Sequence, residues 1–168
     1  MNTPASNQSH RQLRASLWLW WHLHRQLRRR GRGRNESGAF LLGRRAPSGV
    51  DRVARFVCYD DLDPHCLDRG YIEFRACGYE KLWAECRRLE LDVLADVHTH
   101  PGPNSSQSGT DRTHPMISEA GHVAIILPSY AQGFAFRLGA ASCYEYSGNY
   151  LWRDWSKQRR TRFRLSLF

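Results

Sequence analysis

A strand-like segment that ends in two histidines constrains this chain more than any other feature. Val93–His98 is followed by Thr99 and then by His100. Because side chains at positions i and i+2 of a strand point to the same face, His98 and His100 present two imidazoles to one point. The loop Pro101–Gly109 is rich in Gly, Pro, Asn and Ser and turns the chain back, so that Asp111 can add a carboxylate oxygen. The fold must therefore bring this strand end and this loop together.

Two imidazole nitrogens and one carboxylate oxygen predict a metal centre. Three protein ligands, with a fourth position left for water, are the arrangement of catalytic zinc, whereas structural zinc is usually held by four ligands that include cysteine. None of the five cysteines lies in the loop that follows the histidines. We therefore expect one Zn²⁺ per chain, which would bring the pKa of a bound water down to about 7.

Hydrolysis at such a centre also needs a general base. The base takes a proton from the attacking water and passes it to the leaving amine, and it should be a carboxylate that does not bind the metal. Glu36, Glu80, Glu85 and Glu119 are all candidates. Their spacing along the chain does not choose among them.

Structural roles compete with each of these functional ones. Two histidines at a strand end are commonly no more than polar residues, and Asp111 could instead complete a helix cap with Ser108. His114 is more simply explained as a surface residue of the short helix that follows. His65 and Cys66 have no partners at metal spacing, so a structural role is expected for both.

The N-terminal region predicts one amphipathic helix. Its apolar positions recur at spacings of four and three residues, and Gly31 and Gly33 end it. These positions are Leu13, Leu17, Trp20, His24 and Leu27. Tryptophans beside arginines on a helix are found at membrane surfaces and partner interfaces, but apolar helical stripes usually face the chain's own core. We expect this helix to pack on its own sheet, with the arginines in water.

The rest of the chain mixes strands and helices. Strands are predicted at 39–42, 52–59, 71–75, 93–98, 122–127, 134–138 and 142–146, and a helix at 79–91. Loops are predicted at 43–49, 60–70 and 101–109. Ser108 is expected to cap a short helix that Pro115 ends. This mixture, in a chain of ordinary domain length, predicts a single domain of the α/β (α+β) class.

The positive charge is concentrated at the two ends. The net charge is +9, of which residues 1–34 contribute +8 and residues 149–168 contribute +5, so residues 35–148 have a net charge of −4. Blocks of like charge are commonly solvated tails or exposed faces, which is the simpler interpretation. A nucleic-acid-binding face would have the same signature.

Cysteine spacing and hydropathy argue against several classes of protein. Five cysteines with no C-x-x-C pair do not suit a zinc ribbon or a disulfide framework. No run of about 18 apolar residues is present to span a bilayer. The short apolar run at 17–23 is followed by arginines rather than by a small-residue cleavage site, unlike a secretory signal. A reducing, cytoplasmic location is therefore expected.

The residues around the histidines resemble a known signature. His98-Thr99-His100, seven further residues, and then Ser108 and Asp111 in S-x-x-D spacing are similar to the JAB/MPN/Mov34 metalloprotease family, often called JAMM. All of these downstream positions match the family pattern.

The same family has a glutamate far upstream, just before a glycine-containing apolar strand. The segment 36–43, which reads ESGAFLLG, resembles that element and places Glu36 at the glutamate position. It departs from the pattern at Ala39, where a second glycine is common. The resemblance extends over about residues 15–147 of the chain.

The resemblance implies a role for each matching residue. His98, His100 and Asp111 would bind zinc, and Glu36 would be the acid and base of the reaction. Ser108 would donate a hydrogen bond to the oxyanion of the tetrahedral intermediate, which fits the general use of donors aimed at developing charge. The implied fold is a single JAB/MPN (cytidine-deaminase-like) domain: a curved β-sheet flanked by helices, whose N-terminal helix leads into the Glu36 strand.

The implied activity is that of a deubiquitinase-like, zinc-dependent isopeptidase or peptidase, which cleaves after the C-terminal tail of a ubiquitin-like protein. The tail would bind extended, as an added strand. Its contacts are expected at the loops Arg44–Asp51 and Asp60–Gly70. Compact size and the segments 29–44 and 121–131 most resemble the prokaryotic branch, of which several members are encoded beside E1-like and E2-like enzymes in antiphage operons. The tail, its conjugates and such enzymes are therefore the expected partners, and nucleic acid is not.

The resemblance also predicts how the chain is divided. Residues 1–12 are expected to form a flexible N-terminus and residues 13–148 the JAB/MPN metalloprotease domain. Residues 149–168 are expected to form a basic extension, packed on the domain or trailing it, to which the resemblance assigns nothing.

Two other functions stay open at this point. The first is a catalytically silent MPN-like scaffold that binds nucleic acid or an acidic partner through its basic ends. The complete set of candidate residues argues against it, because scaffold relatives usually lack one or more of them. The second is the DNA-repair-associated branch of the superfamily, whose loop more often reads H-N-H, so that Thr99 counts against it.

Overall fold

One curled sheet of eight strands, with five α-helices, makes up the part of the chain described in a computed structural model, residues 11–133, 135–136 and 138–167. The strands are β1 (Gln12–Ser16), β2 (Gly38–Arg44), β3 (Val50–Cys58), β4 (Asp92–Thr99), β5 (Val123–Leu127), β6 (Ser142–Gly148), β7 (Leu151–Asp154) and β8 (Phe163–Ser166). The helices are α1 (Leu17–Gly31), α2 (Tyr59–Leu62), α3 (Ala76–Leu89), α4 (Gly109–Thr113) and α5 (Arg159–Arg162). The predicted α/β class is confirmed.

The strand order is β7-β6-β5-β4-β2-β3-β1-β8, so β2 and β4 lie at the centre. Hydrophobic clusters cover both faces of the sheet. Ala39 and Leu41 pack with α1 on one face, whereas Phe40 and Leu42 pack with α2 and α3 on the other. β2 is buried from Gly38 through Gly43 for this reason. A strand buried on both faces is a rigid base for a site at its end.

Helix α1 packs on its own sheet, as its apolar stripe predicts. Trp20, Leu23 and Leu27 are fully buried. The hydroxyl of Ser16 accepts a hydrogen bond from the backbone N–H of Leu19 and caps the first turn. The prediction that Leu13 belongs to this helix is wrong. Leu13 lies in β1, where burial alternates residue by residue, and its spacing of four from the first helical leucine is coincidental.

Two other predicted strands are wrong. Residues 71–75 pair with no strand among the described residues; instead, the backbone N–H and guanidinium of Arg75 donate to the carboxylate of Asp63. The 134–138 strand is replaced by a 3-10 turn at Leu138–Ala140, while Phe134 and Arg137 lie outside the described residues. In both places aromatic residues fitted a strand pattern, but their described residues have no ladder partner.

The remaining predicted elements differ mainly at their ends. The strands predicted at 39–42, 52–59, 93–98, 122–127 and 142–146 correspond to β2, β3, β4, β5 and β6. The helix predicted at 79–91 begins three residues earlier, at Ala76, and the loop predicted at 60–70 opens with α2. Ser108 caps α4 as expected.

The C-terminal residues contribute strands to both edges of the sheet. β7 pairs antiparallel with β6, and β8 pairs parallel with β1. The predicted flexible segment 1–12 lies outside the described residues except for Arg11 and Gln12. The domain boundaries stay predictions.

None of the helices in the described part of the chain has both the length and the hydropathy needed to cross a bilayer.

Candidate metal centre

The pairing of β2 with β4 brings Glu36 and the histidines to the same end of the sheet. Gly38 lies opposite His98 in the antiparallel register. The backbone N–H of Thr99 donates to the carbonyl of Ser37 at 2.9 Å, which continues the pairing towards Glu36. Opposed residues of an antiparallel pair point to the same face, so Glu36 lies at the strand end from which His98 projects.

His98, His100 and Asp111 form one cluster. A ligand atom from each lies within 4.8 Å of the ligand atoms of the other two. Nε2 of His98 is 3.5 Å from one carboxylate oxygen of Asp111, and Nε2 of His100 is 3.2 Å from the other. The spacing along the sequence therefore does correspond to a cluster in space.

The donor atoms of this cluster suit a zinc ion. Nε2 of His98 is buried and has no hydrogen-bond partner among the described residues, which is costly for a polar atom unless something binds it. Two imidazole nitrogens and a carboxylate oxygen form the His₂-carboxylate set of catalytic zinc, with a fourth position left for water or substrate. His98, His100 and Asp111 are thus the residues that would hold the metal.

Asp111 combines a helix cap with its place in the cluster. Its Oδ2 accepts a hydrogen bond of 2.6 Å from the backbone N–H of Ser108, and the hydroxyl of Ser108 accepts one from the N–H of Asp111. The capping box and the cluster therefore coexist. Burial raises the pKa of the Asp111 carboxyl, but His100, His98 and the bonds from Ser108 more than offset this, so its pKa lies well below the usual range. An ionised carboxylate is the form that binds a cation.

Ser108 lies at the surface, on the turn that leads into α4. Its hydroxyl oxygen accepts the capping bond, and the hydroxyl hydrogen is a donor close to the Asp111 carboxylate, whose pKa it helps to lower. The loop before it is anchored at Ser105, whose hydroxyl donates to the carbonyl of Ala140 at 2.8 Å. This anchor, next to β6, fixes the loop across the end of the sheet.

Among the four carboxylates considered as general base, Glu36 alone lines the cavity that contains His98 and Asp111. Glu80 and Glu119 are exposed elsewhere, and Glu85 pairs with Arg88 at 2.7 Å. Burial raises the pKa of Glu36, and the nearby Asp111 adds to this, while His100 and His98 lower it. The net pKa is raised, which suits a group that must both accept and release a proton.

The cavity at the cluster has a volume of about 800 Å³. The polar side chains of Glu36, His98 and Asp111 lie on one part of its wall. Six aromatic side chains also line the cavity, together with further polar residues such as Glu73, Gln107 and His114; the aromatic ones are Tyr59, Tyr71, Phe74, Tyr79, Tyr150 and Trp152.

Sequence reasoning missed three residues behind the cluster. Asp96 is buried, and its carboxylate accepts hydrogen bonds from Nδ1 of His98 (3.2 Å), Nε2 of His122 (2.8 Å) and the hydroxyl of Tyr59 (3.2 Å). Burial raises the pKa of Asp96, but the bonds from the two histidines lower it below the usual range. One signal was visible: Asp96 is an acid inside an apolar strand, two residues before His98 and so on the same face.

Other predicted site residues lie apart from the cluster. The loop Arg44–Asp51 joins β2 to β3 at the end opposite Glu36, roughly 20 Å along the strand. None of its residues lines the cavity, so the structure does not bring it to the site. The loop Asp60–Gly70 does approach, because the carbonyl of Gly70 accepts the backbone N–H of Glu36 at 2.9 Å.

His114, His65 and Cys66 form no part of the cluster. His114 is exposed on the rim of the cavity and contacts the hydroxyl of Thr113 at 2.9 Å. His65 pairs with Asp68 at 2.9 Å on the surface, and Cys66 is buried. These placements agree with structural or surface roles.

A comparison with known protein families agrees with this geometry. The family model of prokaryotic homologs of the JAB domain matches residues 20–139, which include Glu36 and the whole cluster. The chain belongs to the family of prokaryotic JAB domains. The family resemblance seen in the sequence is thereby confirmed. JAB domains include hydrolases and often bind zinc, and some members are inactive.

Two solved structures share the fold. The solution structure of a protein from Desulfitobacterium hafniense superimposes with a TM-score of 0.59 at 17% identity, and 92% of each chain is covered. The solution structure of a protein from Salinibacter ruber has a TM-score of 0.55 at 15% identity, and 84% of this chain and 87% of that chain are covered. At these identities the likeness concerns the JAB fold alone.

Proposed function

We propose that this JAB domain is a zinc-dependent isopeptidase or peptidase that cleaves after the C-terminal tail of a ubiquitin-like protein. One observation carries the proposal: His98 and Asp111 of the His98-His100-Asp111 cluster line the same cavity as a half-buried Glu36. A scaffold has no need of this combination of three potential ligands and a separate carboxylate with a raised pKa.

The residues have distinct roles in this proposal. Bound zinc supplies a Lewis acid that polarises the scissile carbonyl and lowers the pKa of water. Glu36 takes the proton of the attacking water and delivers it to the leaving amine. The hydroxyl of Ser108 donates to the oxyanion. The carboxylate of Asp111 stays ionised, because the backbone N–H of Ser108 and the histidines face it.

The cavity is large enough for part of an extended substrate. Its volume is about 800 Å³, and aromatic side chains form part of its wall. A tail with glycines next to the scissile bond could approach the histidines closely, because glycine has no side chain that would clash with the walls of the cavity. Its contacts are proposed at Tyr71 and the adjoining part of the Asp60–Gly70 loop.

The biological setting is proposed from the family alone. Resemblance to the prokaryotic branch supports a cytoplasmic role in an antiphage conjugation pathway, with ubiquitin-like conjugates and E1-like and E2-like enzymes as partners. Purification of the chain with products of neighbouring genes would test these partnerships. A chain that binds none of them, but binds nucleic acid or an acidic protein through its basic ends, would be a scaffold instead.

Replacing the proposed base tests the activity directly. Glu36→Gln is expected to retain zinc and to lose cleavage of a ubiquitin-like fusion, because an amide accepts no proton from water. Glu119→Gln, an exposed position outside the cavity, is the matched control and should cleave normally. Product formation by mass spectrometry and zinc content are measured on the same preparations. Cleavage by Glu36→Gln at the wild-type rate would show that the base lies elsewhere.

A further inference from the structure

The most completely bonded polar group behind the cluster is the carboxylate of Asp96. Its side chain is almost fully buried, at the centre of β4. Oδ1 accepts from Nε2 of His122 at 2.8 Å, and Oδ2 accepts from Nδ1 of His98 at 3.2 Å and from the hydroxyl of Tyr59 at 3.2 Å. Three donors converge on one buried acid, which favours its ionised form.

These contacts determine which nitrogen of His98 carries the proton. An ionised carboxylate only accepts hydrogen bonds, so Nδ1 of His98 must donate its N–H to Asp96. In a neutral imidazole the other nitrogen then has a free lone pair. That nitrogen, Nε2, is the buried atom without a hydrogen-bond partner, and it lies 3.5 Å from Asp111.

The neighbours of Asp96 hold it in this position from two sides. His122 comes from the end of the chain segment that leads into β5, and Tyr59 comes from the first residue of α2. Tyr59 reaches Asp96 because Gly38 has no side chain: a Cβ there would lie 2.2 Å from the Tyr59 ring. The network therefore depends on β4, the residue that precedes β5, α2 and β2 together.

We propose that Asp96 is a positioning residue for the metal, which holds His98 in the tautomer and ring orientation that leave Nε2 to bind zinc, with His122 and Tyr59 fixing Asp96. This inference rests on the metal site of the proposed function but not on peptide cleavage. A carboxylate behind a metal-binding histidine commonly contributes 10–100-fold to metal affinity.

Asp96→Asn is the sharpest variant, because it is isosteric and its amide can donate to Nδ1 of His98. That bond would move the ring proton to Nε2, the wrong atom for metal binding. We expect the zinc dissociation constant, measured by competition with a chromogenic chelator, to rise about 10–100-fold. Asp92→Asn, which removes a charge from the exposed start of the same strand, is the control and should bind zinc as the wild type does.

Two further measurements keep the inference testable if Asp96→Asn does not fold. In the metal-free wild type, ¹⁵N-edited histidine spectra should show His98 as the Nδ1–H tautomer. Tyr59→Phe removes one donor and keeps the ring; we expect a few-fold weaker zinc affinity and an altered visible spectrum of the Co²⁺-substituted protein. A merely structural role would leave the Co²⁺ spectrum unchanged.

The outcomes separate this inference from the proposed function. If the wild type binds zinc and folded Asp96→Asn binds it equally well, or if His98 is the Nε2–H tautomer, the positioning role is overturned and the metal site stands. If the wild type itself binds no zinc, both proposals fail. A selective loss in Asp96→Asn, absent in Asp92→Asn, supports the positioning role.

Discussion

At the scale of single residues, local spacing predicted the His98-His100-Asp111 cluster. The residues behind the cluster were missed, because they are far apart in the sequence. His98, His100 and Asp111 lie within fourteen residues of one another, so strand alternation and one turn suffice to relate them. Tyr59 and His122 are separated from Asp96 by 37 and 26 residues. The pairing of β4 with β5 brings His122 to Asp96, and the packing of α2 over Gly38 brings Tyr59 there. Local spacing does not predict either contact.

Ser108 is both a helix cap and the proposed oxyanion donor, and one substitution tests both roles. Ser108→Ala removes the cap of α4 and the proposed oxyanion donor. We expect zinc to be retained, cleavage to slow by about 10²–10³, and stability to fall by about 1 kcal/mol. Single-turnover rates and thermal unfolding measure the two effects separately.

Ser106→Ala is the matched control for this variant, since Ser106 is exposed on the same loop. It should leave both quantities unchanged. A stability loss in Ser108→Ala with a wild-type rate would mean that the residue is a cap only.

At the scale of secondary-structure elements, packing rather than intrinsic propensity determines whether several segments form strands. The pattern at residues 71–75 suits a strand, yet Asp63 binds the segment. Ile72 and Phe74 also pack on the hydrophobic cluster between the sheet, α2 and α3. β1 was hidden because Leu13 continues the helical spacing of α1 by chance. A short window of sequence therefore shows neither that residues 71–75 lack a strand partner nor that β1 has one.

Gly38 tests how closely β2 and α2 are packed. Gly38→Ala would place a Cβ 2.2 Å from the Tyr59 ring, so one of the two must move. We expect a loss of about 1–3 kcal/mol in the free energy of unfolding, as for other overpacked sites. Chemical denaturation gives the value.

Gly139→Ala is the control for this substitution, because a Cβ there meets nothing within 4 Å. An equal effect at the two glycines would show that the cost is a general property of replacing glycine in this protein, not of the contact with Tyr59.

The link between Asp63 and Arg75 makes a pH-dependent contribution at the same scale. The hydrogen bonds from Arg75 hold the pKa of the Asp63 carboxyl well below its usual range. A depressed folded-state pKa stabilises the fold above the unfolded value of about 3.9, and this stabilisation is lost as pH falls through the folded-state pKa. Asp63→Asn should therefore lower the melting temperature at pH 7, and the deficit should shrink steadily below about pH 4.

Asp92→Asn, at an exposed acid, provides the control for Asp63→Asn and should follow the wild type at every pH. A deficit for Asp63→Asn that is constant from pH 7 to pH 3 would contradict the assigned role of the ion pair.

At the scale of the whole molecule, the C-terminal residues contribute more to the fold than the motif region alone suggests. Residues 151–166 supply both edge strands, and Phe163 is buried against Trp20 at a ring distance of 4.9 Å. The charge pattern predicted two basic ends, but it could not indicate that both ends join one sheet. The α/β class itself was predictable, because the central strands are short, continuous apolar runs and the two long helices have clear helical periodicity.

We propose that this fold holds one zinc ion on His98, His100 and Asp111. Elemental analysis of purified protein, beside the His98→Ala/His100→Ala double variant, tests it most directly. We expect about one zinc per chain in the wild type, and none in the folded double variant. Folded wild-type protein that binds no zinc even when zinc is supplied would contradict it.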